Sequence, residues 1–208
     1  MPITFACIAP HPPLLLPSVG SDEDKEKVKK TIEKLEELGK RMEVSGADLI
    51  IIFSPHPDWG FNVPLYFLAK DFRGRIEKNL TGANSPSFYY KKGKELFNSK
   101  IINSESKIAL IASGDLSHHL REDGPYGFRE DGLKFDEKLV EALSKKNVQE
   151  ILQLENMYPG AGECGLRSFC ALLGVLEESG MNYNPEILSY EGPLGVGYLT
   201  ADLKLQRP

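Results

Sequence analysis

Cysteine is scarce in this sequence. Cys7, Cys164 and Cys170 are the only three, an odd number without metal-type spacing, so a disulfide framework is not expected. Long apolar runs are missing as well: no stretch approaches the roughly 20 residues of a membrane span. The opening "MPITFACIAPHPPLLLP" has no basic leader and is broken by prolines, which argues against a signal peptide. Nor is there an excess of positive charge. With 25 Lys and Arg against 30 Asp and Glu, the net charge of −5 gives no electrostatic reason to expect nucleic acid or an anionic membrane as partner. Internal repeats and linker-like segments are also lacking. The expectation is one domain over residues 1–208, in a reducing, cytoplasmic compartment.

What is present alternates between strand and helix patterns. "ITFACIA" (3–9), "DLIIIFS" (48–54) and "KIALIAS" (107–113) read as buried strands, and "VPLYFLA" (63–69) as a further one. Ser21 is a good N-cap for a helix whose Val28, Ile32, Leu35, Leu38 and Met42 form one apolar face. Ser85 and Pro86 announce a second helix. A loop is expected over 121–134, then helical patterns in "FDEKLVEALSK", "VQEILQLE" and "GECGLRSFCALLGVLEESG" (162–180), with "EILSYEG" and "VGYLTADLKL" as closing strands. Strands apolar on both faces, with helices between them, predict a three-layer α/β/α sandwich around a mostly parallel or mixed sheet.

All four histidines stand just past predicted strands: His11, His56, and the pair His118 and His119. In open α/β sheets the ligand crevice lies beyond the carboxyl ends of the strands, so these loops can converge on one site. Glu163 and Cys164 open a helix behind "PGAG", where glycines permit a tight turn. Two histidines and a carboxylate are the ingredients of a facial triad for a divalent metal; zinc accepts the same residue types. The bland alternative is that each histidine is structural. A Ser/Asp/His hydrolase cluster in "SGDLSHHL" is disfavoured by the lack of a G-x-S-x-G elbow. "GPLGVGY" leads into a strand and reads as a turn, not a phosphate loop.

The blocks "IAPHPPLLLPSVG", "IIFSPHP", "VPLYFL", "IALIASGDLSHHL", "DGPYGF", "FDEKLVEAL", "GECGLRSFCALLGVL" and "LSYEGPLGVGY" span nearly the whole chain. In this order they resemble the class III extradiol ring-cleavage dioxygenase family. The nearest likeness is to its small members associated with Memo-like, AMMECR1-type and radical-SAM proteins. The resemblance implies a mononuclear Fe(II), with Zn(II) as the alternative, and a catechol-like substrate cleaved with O2. It implies His11, His56 and Glu163 as metal ligands, with Cys164 as the alternative third, and His118 as the catalytic acid–base histidine. Pro12, Trp59, Asp115 and His119 fall on the substrate side. It also implies a homo-oligomer, or Memo-like, AMMECR1-type or radical-SAM proteins, as partners.

One departure bears on activity. Family members usually carry a segment of several tens of residues that ends in an Asp-His-Gly block; here it is missing between about residues 57 and 60. Asp58-Trp59-Gly60 keeps the frame, but the sole tryptophan stands where the family has a second acid–base histidine. Three readings follow: an Fe(II)-dependent extradiol-type dioxygenase, a metal-binding accessory protein without that activity, and a zinc-dependent hydrolase.

Overall fold

The apolar runs become adjacent strands because each buries both of its faces. The computed structural model describes residues 2–206. Its strands are β1 (Ile3–Ala9), β2 (Leu49–Ser54), β3 (Arg75–Leu80), β4 (Ile108–Ser113), β5 (Tyr183–Glu191) and β6 (Tyr198–Leu205). They form one six-stranded sheet in the order β3-β2-β4-β1-β6-β5. The first four strands run parallel, and β6 and β5 close the sheet in antiparallel fashion.

Alternate residues of each central strand serve two separate cores. Leu49, Ile51 and Phe53 face one side with Leu110, Ile8 and the apolar residues of α4 (Pro86–Leu96), α5 (Glu130–Ser144) and α8 (Leu166–Glu178). Ile50 and Ile52 face the other side with Cys7, Ile111 and those of α2 (Lys29–Val44) and α3 (Trp59–Leu68). Each such side chain, fully buried, contributes about 1.5–3 kcal/mol of transfer free energy. The three-layer architecture follows from this two-sided burial. Cys7 and Cys170 lie fully inside these cores. Among the described residues no helix is long and apolar enough to cross a membrane.

Several elements differ from the sequence reading. Residues 63–69 are not a strand: 63–68 belong to α3, which buries Phe61, Val63, Pro64 and Leu68, and Ala69 is its C-cap. Pro64 has no N–H for a ladder, so a central strand is closed to it. The sheet instead gains β3, whose "RIEKNL" is largely exposed at the edge and too polar to announce itself. Ser21 does cap a helix, with Asp24 in a capping box, but that helix is the short α1 (Asp22–Lys27), and α2 restarts after Val28. The loop expected to run to 134 ends at Glu130, where α5 begins. "VQEILQLE" divides into α6 (Val148–Ile151) and α7 (Leu154–Met157). Finally, α8 starts at Leu166, so Glu163 and Cys164 lie in the turn ahead of it.

Candidate metal centre

Since β2, β4 and β1 are parallel neighbours, their carboxyl ends share one edge of the sheet. His56 leaves β2, Ser113 ends β4 and carries the chain to His118, and His11 follows β1. The rings of His11 and His56 meet edge to face, with centroids 5.2 Å apart. Across the sheet edge, the backbones after β4 and before α8 touch. A Cβ on Gly114 would fall 2.1 Å from the Cα of Gly165, so no larger residue fits there. The N–H of Gly165 donates to the carbonyl of Asp115 (3.0 Å), and this contact delivers Cys164 to the histidines.

The donor atoms of His11, His56 and Cys164 all lie within 4.8 Å of one another, as do those of Asp115, His118 and Cys164. Glu163 belongs to neither group. Its carboxylate accepts from the N–H of Leu166 (2.7 Å), the first residue of α8, and from the guanidinium of Arg167 (3.2 Å). Of the two expected candidates for a third ligand, Cys164 is the one whose donor atom lies with those of His11 and His56. The backbone turns through Gly162 at φ 62° just before.

Charge in the site is governed by burial. Desolvation, reinforced by His56, pushes His11 down to about 3, so its ring is neutral at pH 7. The same burial lowers His118 and raises the Cys164 thiol, the latter helped by Asp115. Asp115 is lifted to about 6 by desolvation, although the N–H of His11 donates to it at 2.9 Å. Its own N–H donates to Cys164 Sγ at 3.4 Å, a contact that favours a thiolate. Burial likewise raises Glu163 to about 7.

Two features fit a bound divalent metal. Two imidazoles, that of His11 neutral through burial, and a thiol that can ionise form a compact donor set. Beside them, Nε2 of His118 is buried and lacks a hydrogen-bond partner, which a buried polar atom rarely tolerates without a functional reason.

The remaining expected residues fall around this centre. His119 does not join the donor groups: its Nδ1 donates to the carbonyl of Tyr126 (2.9 Å), and its ring lies against Gly162. It thereby holds the loop whose Tyr126 ring stacks, tilted, 5.1 Å from His118. The sequence alone does not single out Tyr126, although "DGPYGF" contains it. Trp59 begins α3 and is 49% exposed, at the rim and not in the interior. Pro12 caps a short 3-10 turn beside His11. Ser117 joins the histidine loop to the turn before α8, donating to the carbonyl of Ala161 (2.7 Å) while its N–H donates to Asp136 (2.8 Å). A cavity of about 750 Å³ between α2 and the segment after α3 lies at the opposite edge of the sheet and shares no residue with this cluster.

The model of the family described as the catalytic LigB subunit of aromatic ring-opening dioxygenase matches residues 57–201. Protein CA_C1420 of Clostridium acetobutylicum is 33% identical over 261 residues, covering 92% of this chain and 55% of its own length. The chain thus spans about half the length of that relative. The aligned stretch is also longer than this 208-residue chain, so the relative inserts residues that are lacking here. In fold, the chain is similar to the crystal structure of uncharacterized protein JW3007 from Escherichia coli K12, at TM-score 0.62 and 15% identity, over 96% of this chain and 99% of that one.

Proposed function

Because this chain belongs to the family of the catalytic LigB subunit of aromatic ring-opening dioxygenases, we propose that it is an Fe(II)-dependent extradiol-type dioxygenase for a small catechol-like substrate. The observation that carries this reading is the meeting of His11, His56 and Cys164 beside the unpartnered Nε2 of His118. Ferrous iron bound there would supply Lewis acidity toward the substrate's oxygens and electrons toward O2. The protein's own part is positional and protolytic. His118, kept neutral by burial, accepts a proton from a substrate hydroxyl and later returns it. Asp115 orders the loop after β4, and Tyr126 covers the outer side of His118.

A second reading has two specific observations in its favour. Trp59 replaces a proton carrier with an indole, which donates one hydrogen bond and cannot shuttle a proton at neutral pH. A thiolate in the donor set also suits zinc as well as iron. On that reading the chain holds a metal without cleaving rings and serves Memo-like, AMMECR1-type or radical-SAM partners. The nitrosyl EPR spectrum of the anaerobic Fe(II) protein, taken with and without catechol, separates the two. A high-spin signal that shifts on adding catechol is expected for the dioxygenase; a signal indifferent to catechol leaves the second reading.

A further inference from the structure

Behind His11 lies a chain of hydrogen bonds whose direction is fixed by chemistry. Pro64 stands inside α3 without an N–H, so the carbonyl of Gly60, four residues earlier, receives no helical donor from that position. That carbonyl accepts from the hydroxyl of Ser113 at the end of β4. Gly60 can approach so closely only without a side chain, because a Cβ there would lie 2.0 Å from Ser54 Oγ. A carbonyl never donates, and a serine hydroxyl has a single proton. Ser113 Oγ therefore offers only lone pairs to Nδ1 of His11, 2.9 Å away, and Nδ1 must carry the ring proton. Ser113 is fully buried, so bulk water does not compete for either bond. The other nitrogen, Nε2, is left with its lone pair directed toward Cys164 Sγ at 3.5 Å, while Asp115 Oδ2, at 3.8 Å, is beyond hydrogen-bond distance.

We propose that Ser113 is a positioning residue, supported by the carbonyl that Pro64 leaves free on Gly60, which locks His11 in the Nδ1-protonated tautomer. Nε2 is thereby set as a metal donor before any metal arrives. Only this last step rests on the metal-binding reading, since the tautomer is a property of the metal-free chain. Outer partners of this kind typically change metal affinity by about 10–100-fold when removed.

The test is a long-range proton–nitrogen correlation spectrum of the full, metal-free chain with ¹⁵N-labelled histidine near neutral pH, the His11 signals being identified by their loss in His11→Gln. Wild type should show Nδ1 protonated and Nε2 bare; a bare Nδ1 overturns the proposal without any variant. Ser113→Ala should populate the other tautomer and weaken Zn(II) binding, measured against a chelator, by about 10–100-fold. A folded Ser113→Ala protein with unchanged tautomer and affinity also overturns it. Pro64→Ala, which restores a competing N–H, should fall between the two; no change would remove Pro64 from the relay. If wild type shows the expected tautomer but binds no zinc, the metal reading fails and this inference stands. If it binds zinc with mixed tautomers, the reverse holds.

Discussion

Nε2 of His11 and Sγ of Cys164 lie 3.5 Å apart although 153 positions separate them in the chain. One follows the first strand, the other precedes the last long helix, and the contact of Gly114 with Gly165 brings them together. On the proposed metal-binding reading the third ligand is the thiol, while the adjacent carboxylate accepts from Leu166 and Arg167 at the start of α8. Cys164→Ala should lose stoichiometric metal, whereas Glu163→Gln should retain it within a few-fold and lose some stability at the start of α8. Metal content per chain after dialysis checks this; the opposite pattern would restore the carboxylate as ligand.

Metal affinity should rise with pH. The Cys164 thiol is raised by burial and must lose its proton to bind, while His11, already neutral, releases none. Apparent affinity should climb about tenfold per pH unit while the thiol is protonated. Chelator competition across a pH series measures the slope, and a flat profile would exclude Cys164 as a ligand.

His118→Ala should keep the metal and lose turnover by about 10²–10⁴, the usual contribution of a general acid–base. Folding should not suffer, because the Nε2 it removes has no partner in the native state. Oxygen uptake and metal content, measured on the same sample, distinguish this from loss of a ligand.

Gly60→Ala should be costly at an otherwise modest position. Its new methyl would press on Ser54 Oγ at 2.0 Å and on His56 Cβ at 3.1 Å. Overpacking of this kind costs about 1–3 kcal/mol. Urea denaturation should show that loss together with weaker metal binding; retention of both would mean that the β2–α3 connection relaxes freely.

Asp136 should make stability depend on pH. Burial raises its carboxyl from 3.8 to about 7, against the Ser117 N–H and Tyr190 hydroxyl that donate to it. Its contribution is complete below about pH 4 and is lost as pH rises through about 7, since only the native state holds the proton between those values. Asp136→Asn, uncharged throughout, should gain on wild type as pH rises over that window, by about 1.4 kcal/mol per unit of effective shift. Parallel melting curves at several pH values provide the comparison.

The strands β1, β2 and β4 were legible because burial on both faces leaves an uninterrupted apolar run, and the histidines were legible because they end those runs. Residues 63–69 misled because an apolar helix pressed on a sheet carries too little polar contrast to reveal its period. Glu163 and Cys164 could not be ranked from sequence. They are neighbours, and only the folded chain brings Cys164 Sγ to the histidines while Glu163 accepts from Leu166 and Arg167. Tyr126 escaped notice because its role depends on His119 holding its carbonyl, a contact between two loops with no sequence period.

The connection from Ser54 to Trp59 runs along the surface, with His56 through Trp59 exposed. Lengthening such a loop is thermodynamically cheap, about 0.6 kcal/mol for each doubling. Of the proposed ligands, His11 and Cys164 lie outside that connection, and His56 within it is tied by its N–H to the Oγ of Ser54 (3.1 Å) at the end of β2. On the proposed function, substrate choice and metal chemistry are separable by inheritance: a lineage can lengthen or prune the rim beyond His56 and change what enters, while the platform beneath keeps its metal.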